Sequence, residues 1–233
     1  MPVSLITGGS TGIGAAIARE LLVAGHSVVV TGRNKDRLAA LGEQLRDGDG
    51  RLVAMSGDAS DFDAVQAAVD TAVDRFGQLD NVVANAGFTT HDNLAEGDPE
   101  HWRAMVLTNV LGPMLLVKAA LPALKQSKGR IVFVGSVAGI KNVPGNMYSV
   151  TKWATTGMAE NTRLFVTGLG VGVTLLAPGR VDTPFWDSHD DARPSEGPVL
   201  TAEDIARSVV WVLGQPAGVD VNTLVVRPVG QDI

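Results

Sequence analysis

The chain has 233 residues, with 25 acidic and 19 basic side chains and a formal net charge of −6. This length allows one large α/β domain with a substantial core, and the acidic surface excludes nucleic acids and anionic membranes as expected partners. The sequence has no cysteine, which excludes disulfides, thiolate metal sites and a thiol nucleophile.

Seven short runs rich in β-branched residues alternate with longer, alanine-rich amphipathic segments. In chain order they are VSLIT, SVVVT, RLVAMS, LDNVVANAG, GRIVFVGS, GVGVTLLAPG and NTLVVRP. Several runs lack polar alternation, which is typical of strands covered by helices on both faces. The pattern predicts an α/β fold, with a doubly wound parallel sheet of seven strands in one domain over residues 1–233.

The segments between these strands predict helices. Their expected bounds are Gly12 to Ala24, Lys35 to Arg46, Asp61 to Phe76, Pro99 to Lys125, Met147 to Thr167 and Ala202 to Leu213. No secretory leader is recognisable before Val3, and Lys118 interrupts the longest apolar helix. We therefore expect a cytoplasmic protein that does not enter a membrane.

A long irregular stretch, PGRVDTPFWDSHDDARPSEGPVL, follows the sixth strand. Loops of this length are often lids, so a substrate lid is expected at about residues 182–200. Phe185 and Trp186 lie there beside Asp182, Asp187, Asp190 and Asp191. The two rings could cover an apolar or aromatic substrate, or could equally fill core space or a subunit contact.

The four histidines do not have the spacing of a metal site, and no metal is expected. They are His26, His91, His101 and His189. His91 and His189 fall in segments expected to border a substrate cleft, but an exposed loop position is the favoured interpretation for each histidine.

A glycine-rich turn joins the first strand to the first helix, with Gly8, Gly12 and Gly14 in LITGGSTGIGAAIA. Such glycines let the backbone N–H groups and the positive end of the helix approach a pyrophosphate. The spacing is G-x-x-x-G-x-G, and the same residues would also suit an ordinary turn.

The end of the second strand indicates which dinucleotide is favoured. It carries Gly32 and Arg33 where a carboxylate would bind an adenosine ribose. An arginine attracts a 2′-phosphate, so NADP(H) is favoured over NAD(H). Arg33 could also be a solvated loop residue, and Asn34 with Lys35 could cap and begin the next helix.

The remaining motifs give the chain a resemblance to the classical short-chain dehydrogenase/reductase family over nearly its whole length. They are TGGSTGIG at Thr7 to Gly14, Asp58, NAG at Asn85 to Gly87, Asn109, Ser136, Tyr148 with Lys152, and Pro178 with Gly179 followed by Thr183. The resemblance implies a Rossmann fold, hydride transfer between an alcohol and an aldehyde or ketone, and a homodimer or homotetramer formed through the two long helices.

The resemblance also implies residue roles. Tyr148 would be the general acid or base, Lys152 would favour the phenolate and hold the nicotinamide ribose, Ser136 would orient the substrate oxygen, and Asn109 would hold a water. Lowering a phenol pKa from about 10 to about 7 takes about 4 kcal/mol, which Lys152 and an oxidised nicotinamide could supply together. The implied cofactor-binding residues are Gly8, Ser10, Thr11, Gly12, Ile13, Gly14, Arg33, Asp58, Ala59, Asn85, Ala86, Gly87, Tyr148, Lys152, Pro178, Gly179, Val181 and Thr183.

Some of these residues have a second interpretation. Tyr148 and Lys152 are spaced four apart, as on a solvated helix face, Asp58 could cap the helix that follows it, and Pro178 with Gly179 could be a plain turn. Two other functions remain as alternatives. One is a protein that senses NADP(H) without turnover. The other is a reductase of acyl thioesters, which would need a basic patch to dock an acidic carrier protein.

Overall fold

A computed structural model describes residues 1–45, 50–187 and 197–231. Its strands pair in parallel in the order β3-β2-β1-β4-β5-β6-β7, which confirms the predicted doubly wound sheet of seven strands. The strands are β1 Val3–Thr7, β2 Ser27–Gly32, β3 Leu52–Ser56, β4 Asn81–Ala84, β5 Arg130–Val134, β6 Gly172–Pro178 and β7 Thr223–Val226. The α-helices are α1 Gly12–Val23, α2 Lys35–Gln44, α3 Phe62–Phe76, α4 Pro99–Val106, α5 Gly112–Ser127, α6 Met147–Val166 and α7 Ala202–Leu213.

The core has two parts, one on each face of the sheet. In β5, Ile131 and Phe133 belong to the cluster beneath α3, α5 and α6, whereas Val132 and Val134 belong to the cluster beneath α1, α2 and α7. Because side chains alternate between faces, a strand buried on both sides has to be apolar throughout. This explains why the strand runs lack polar alternation.

The predicted helix from Pro99 to Lys125 is divided by a π-helical segment, Leu107–Leu111, between α4 and α5. Pro113 has no N–H to donate four residues back, and its ring would crowd the carbonyl of Asn109. The ladder therefore widens just before the proline, a local change that amphipathic spacing does not predict.

By length and composition alone, Pro99–Ser127 could cross a bilayer. In the fold its inner residues Leu116, Ala119, Ala120 and Leu124 are at most 5% exposed and join the core cluster that contains Phe133. These are the contacts of a helix that packs on a sheet.

The first turn of α1 lies unusually close to the turn after β1. A Cβ atom on Gly14 would collide with the carbonyl oxygen of Gly8 and would lie 2.6 Å from Asn85 Nδ2. Gly8 itself has φ 67°, in the left-handed region that favours glycine. Glycine at position 14 therefore permits the close packing of α1 against this turn.

Two helical glycines should respond in opposite ways to alanine. Gly14→Ala should lower the free energy of unfolding by about 1–3 kcal/mol, because the new methyl group has no space. A Cβ on Gly42 in α2 would meet nothing within 4 Å. Gly42→Ala should therefore raise the free energy of unfolding by about 0.5–1 kcal/mol through the helix propensity of alanine. Urea denaturation followed by circular dichroism measures both, and equal effects would contradict the packing argument.

Candidate active site

A cleft of about 730 Å³ lies at the carboxyl ends of the strands, where the chain leaves β1 and β4 in opposite directions. Ligands of open α/β sheets bind at this switch point. Residues from both halves of the sheet line the cleft, including the glycine turn after β1, the ends of β2, β4 and β6, and the start of α6.

The floor of the cleft is held by side chains after β1 and β4. Asn85 Nδ2 donates to the carbonyl oxygens of Thr7 and Gly8 at 3.0 Å each. Thr7 Oγ1 accepts from the backbone N–H groups of Asn85 and Ala86 at 3.3 Å each. The two strand ends are therefore fixed relative to each other before any ligand contacts them.

The β2 end of the cleft carries positive charge. Arg33 lies over the Phe88 ring, with its guanidinium carbon 5.9 Å from the ring centroid, and Arg37 lines the same region. Asn34 caps α2 by accepting from Arg37 N at 2.9 Å, so its capping interpretation holds. Arg33 is therefore in the cleft rather than on a distant loop.

Asp58 lines the cleft and does not cap α3, because Asp61 is the cap. Asp58 Oδ1 accepts from Ser60 N at 2.8 Å and Ser60 Oγ at 2.7 Å. Burial raises the pKa of Asp58, but these two hydrogen bonds and the charge of Arg33 outweigh it, so the pKa lies below its ordinary value. The carboxylate is thus held ionised near the β2 end.

Ser136, Tyr148 and Lys152 meet at the opposite end of the cleft. Asn146 caps α6 by accepting from Ser149 N at 2.7 Å, which starts the helix so that Tyr148 and Lys152 lie one turn apart. Lys152 Nζ donates to the carbonyl oxygen of Val134 at 2.8 Å and lies 5.6 Å from the Tyr148 ring centroid. A solvated helix face is therefore the wrong interpretation of this pair.

Burial favours the neutral forms of both groups. It raises the pKa of Tyr148 to about 12, although an interaction with the Ser136 hydroxyl opposes this, and it lowers the pKa of Lys152 to about 8. The expectation that Lys152 and an oxidised nicotinamide together favour the phenolate stays a prediction.

Asn109 lies in the π-helical segment behind the cleft and is 2% exposed. Its Oδ1 accepts from Phe88 N at 3.0 Å, and its Nδ2 donates to Phe88 O at 2.9 Å and to Thr151 Oγ1 at 3.0 Å. Asn109 therefore ties the segment after β4 to α6. Its predicted role in holding a water stays a prediction.

The segment after β6 closes the nicotinamide side of the predicted site. Thr183 is 7% exposed, and its Cβ lies 3.2 Å from where a Cβ on Gly12 would be. Trp186 Nε1 donates to the carbonyl oxygen of Val181 at 2.8 Å. This segment is therefore packed directly against the glycine turn.

The cleft brings together all the predicted site residues except Gly14 and Asn109, which support it from behind. The lining members are Gly8, Ser10, Thr11, Gly12, Ile13, Arg33, Asp58, Ala59, Asn85, Ala86, Gly87, Ser136, Tyr148, Lys152, Pro178, Gly179, Val181 and Thr183. Pro178 and Gly179 thus form more than a plain turn, although the functional role of each residue stays a prediction.

Comparison with known proteins agrees with this architecture. A family model described as short chain dehydrogenase matches residues 2–194. The chain is 36% identical over 230 residues to an uncharacterized oxidoreductase of Staphylococcus saprophyticus, covering 97% of each protein. The chain belongs to the short-chain dehydrogenase family.

Two solved structures of similar fold also cover almost the whole short-chain dehydrogenase chain. An alcohol dehydrogenase from the archaeon Thermococcus sibiricus, complexed with 5-hydroxy-NADP, is 31% identical with a TM-score of 0.90 and covers 100% of this chain and 99% of its own. A closed form of serine dehydrogenase, complexed with NADP+, is 31% identical with a TM-score of 0.92 and covers 99% and 96%.

Sequence reasoning about this short-chain dehydrogenase missed several residues that line the cleft, among them Arg37, Phe88 and Arg180. The spacing of Arg33 and Arg37, four residues apart across a helix start, could have indicated the first. Phe88 directly follows NAG, and Arg180 directly follows the Pro-Gly pair, so both adjoin motifs that were recognised.

The histidines have different environments. His26 Nδ1 and Ser4 Oγ lie 2.9 Å apart, and burial lowers the His26 pKa. His101 is exposed on α4 near Asp98. His91 lines the cleft against the rings of Phe185 and Trp186, so the exposed-loop interpretation is wrong for this residue. His189 lies outside the described residues, as do Arg46, Asp190, Asp191 and part of the predicted lid.

Replacing Lys152 with Met should alter how stability depends on pH. The folded-state pKa of Lys152 is about 8 against an ordinary 10.5, so between these values only the unfolded chain holds the proton. The parent should therefore gain about 3 kcal/mol of unfolding free energy over Lys152→Met as the pH rises from about 8 to about 10.5.

Urea denaturation of both proteins at pH 7, 9 and 10.5 measures this difference. Tyr148 is present in both proteins, so its own titration drops out when their unfolding free energies are subtracted. Lys118→Met, at an exposed position on α5, is the matched control. A difference that is the same at all three pH values would contradict the desolvation of Lys152.

Proposed function

We propose that this protein is an NADP(H)-dependent oxidoreductase that interconverts an alcohol and an aldehyde or ketone, with Tyr148 as the general acid or base. The observation that carries the proposal is that Ser136, Tyr148 and Lys152 open into the same cleft as the glycine turn and Arg33. One end of this cleft therefore suits proton transfer and the other suits an anionic nucleotide.

The cleft has the shape and charge for a dinucleotide. The glycine turn lines the cleft, where its backbone can approach a pyrophosphate. A Cβ on Gly8 would lie 2.8 Å from the Cα of Ala86, so this position has no room for a side chain. Among the described residues, the lining carries one carboxylate, Asp58, against Arg33, Arg37, Lys152 and Arg180. A chain of net charge −6 thus has a cationic cleft, which attracts phosphates.

The two arginines near β2 favour NADP(H) in particular. No carboxylate stands at the β2 tip, where Gly32 and Arg33 are found. A guanidinium binds a phosphate through charge-assisted hydrogen bonds, whereas an acidic residue there would repel a 2′-phosphate. The NADP compounds named with the two similar structures support this preference.

The residues at the catalytic end of the cleft can supply the proton that accompanies hydride transfer. When bound, the reduced cofactor supplies the hydride that adds to the carbonyl carbon. Tyr148, which is protonated at neutral pH, donates the proton to the carbonyl oxygen, and Ser136 holds that oxygen in place. Lys152 is held by the Val134 carbonyl beside the Tyr148 ring, and we assign it the ribose hydroxyls and the stabilisation of the phenolate once the proton has left.

The assembly, the location and a substrate lid at about residues 182–200 stay predictions. The homodimer or homotetramer expected from the two long helices is supported by apolar side chains exposed on α5 and α6, including Met114, Trp153 and Phe165. Light scattering tests it, and a monomer would contradict it. We keep the cytoplasm as the expected location and a small carbonyl compound or alcohol as the expected partner.

Tyr148→Phe should lower the rate of NADPH-dependent carbonyl reduction by at least about 100-fold, because the proton donor is lost. NADPH binding should remain within about threefold, since the ring is kept. Absorbance decay at the nicotinamide band, with a panel of aldehydes, ketones and one acyl thioester, measures turnover, and NADPH fluorescence measures binding. A parent that binds NADPH but reduces no compound would favour the sensing alternative, and reduction of the thioester alone would favour the acyl reductase.

Arg33→Gln should weaken NADPH binding by about 10-fold or more while changing NADH binding by less than twofold, because charged hydrogen bonds to the 2′-phosphate are lost. Arg37→Gln should have a smaller effect of the same kind. Arg103→Gln, at an exposed site on α4, is the matched control. Equal weakening of NADPH and NADH would show that Arg33 does not bind the 2′-phosphate.

A further inference from the structure

Three rings form a continuous surface beside Tyr148 at the substrate end of the cleft. We call His91, Phe185 and Trp186 the aromatic wall. Phe185 lies 5.5 Å from the Tyr148 ring and 5.4 Å from Trp186, between ring centroids. His91 lies 5.9 Å from Phe185 and 5.5 Å from Trp186. All three rings line the cleft, so each is available to a bound substrate.

The wall is anchored to the segment that follows β6. The Trp186 indole donates to the carbonyl oxygen of Val181 at 2.8 Å, and Trp186 N donates to Thr183 O at 3.3 Å. Val181 is itself fixed by strand-like pairing with Leu200. The Trp186 ring is therefore tied to the segment that packs against the glycine turn.

The backbone conformation of His91 carries a free-energy cost. His91 has φ 54°, in the left-handed region that a non-glycine residue seldom adopts. Its N–H donates to Thr89 Oγ1 at 3.2 Å, and Thr89 is 6% exposed. Strained residues of this kind concentrate at ligand sites, and here the conformation places the imidazole against Trp186.

The part of the cleft lining that follows Ser136 in the chain includes short apolar side chains. They are those of Val137, Ala138 and Val143. The carboxylate in the described lining, Asp58, is near Arg33 at the β2 end. A flat ring placed between the wall and these aliphatic groups could offer its face or edge to Phe185, as aromatic pairs prefer.

We propose that the site takes aldehydes and ketones whose carbonyl group is conjugated with a small planar ring, and that the aromatic wall selects them. This substrate proposal rests on the proposed function, because the carbonyl group is placed at Ser136 and Tyr148 while the substrate ring lies against Phe185. The wall residues are specificity-determining, and they take no part in proton transfer.

The test compares benzaldehyde with cyclohexanecarbaldehyde, which has nearly the same size but no planar ring. The ratio of their kcat/KM values with NADPH is measured in the parent, Phe185→Leu, Trp186→Leu and His91→Asn, since asparagine tolerates the left-handed backbone. The change of this ratio between proteins cancels the different intrinsic reactivity of the two aldehydes. Trp211→Leu, on α7 and 54% exposed, is the matched control outside the cleft.

Each wall substitution should lower the benzaldehyde preference by about threefold to tenfold, the size expected for one aromatic pair, and Trp211→Leu should leave it unchanged. Dissociation constants of both aldehydes for the Tyr148→Phe protein with NADPH should show the same loss when Phe185→Leu is added. Unchanged ratios in all three wall variants would overturn the proposal.

The failure of this inference is distinguishable from failure of the proposed function. A parent that reduces aliphatic carbonyl compounds with NADPH but neither ring aldehyde would overturn the selection of planar substrates and leave the oxidoreductase standing. A parent that oxidises NADPH with no carbonyl compound of any kind would overturn both.

Discussion

The cleft depends on the tie between the carboxyl ends of β1 and β4. In a doubly wound sheet these neighbours lead the chain to opposite sides, and the crevice opens between them. The Asn85 amide bonds two carbonyls of the first turn, and Thr7 Oγ1 receives two N–H groups of the second. Gly14 then lets α1 sit on the same carbonyl of Gly8. The glycine turn and the segment after β4 are thus held together by hydrogen bonds and close packing.

A second connection joins the two ends of the cleft through Asn109. Its amide group holds both the N–H and the carbonyl of Phe88, whose ring lies under Arg33. The same amide donates to Thr151 Oγ1, which in turn donates to the carbonyl oxygen of Tyr148 at 2.8 Å. One side chain in the π-helical segment therefore positions the backbone beside both Arg33 and Tyr148. The π-helical segment thus has a structural role beside the cleft, in agreement with the frequent occurrence of π turns at functional sites.

The sequence predicts the sheet and most of the cleft because both follow from local patterns. Apolar runs identify strands, and the carboxyl ends of parallel strands share an edge, so Ser136 and the glycine turn were expected at the same edge of the sheet. The π segment was not predictable from amphipathic spacing, because its Asn109 contacts Phe88 and Thr151, which are distant in the chain. Likewise, no pattern places the His91 ring against Trp186, since that contact joins residues far apart in the chain.

The protonation states of Tyr148 and Lys152 were also beyond sequence reasoning, because they depend on burial. An i, i+4 pair on a solvated helix would leave the ammonium charged and able to favour the phenolate. Here both groups are desolvated, and the Val134 carbonyl, not the phenol oxygen, receives the Lys152 hydrogen bond. A tyrosine with a pKa of about 12 holds its proton at neutral pH but is a weaker acid than a free phenol, so protonation of a carbonyl oxygen needs positive charge near the phenolate that forms. The reverse reaction needs that proton to leave, so it requires additional positive charge near the phenol. The protonation state of Tyr148 therefore depends on burial and on the charge beside it, and neither can be read from the spacing of the two residues.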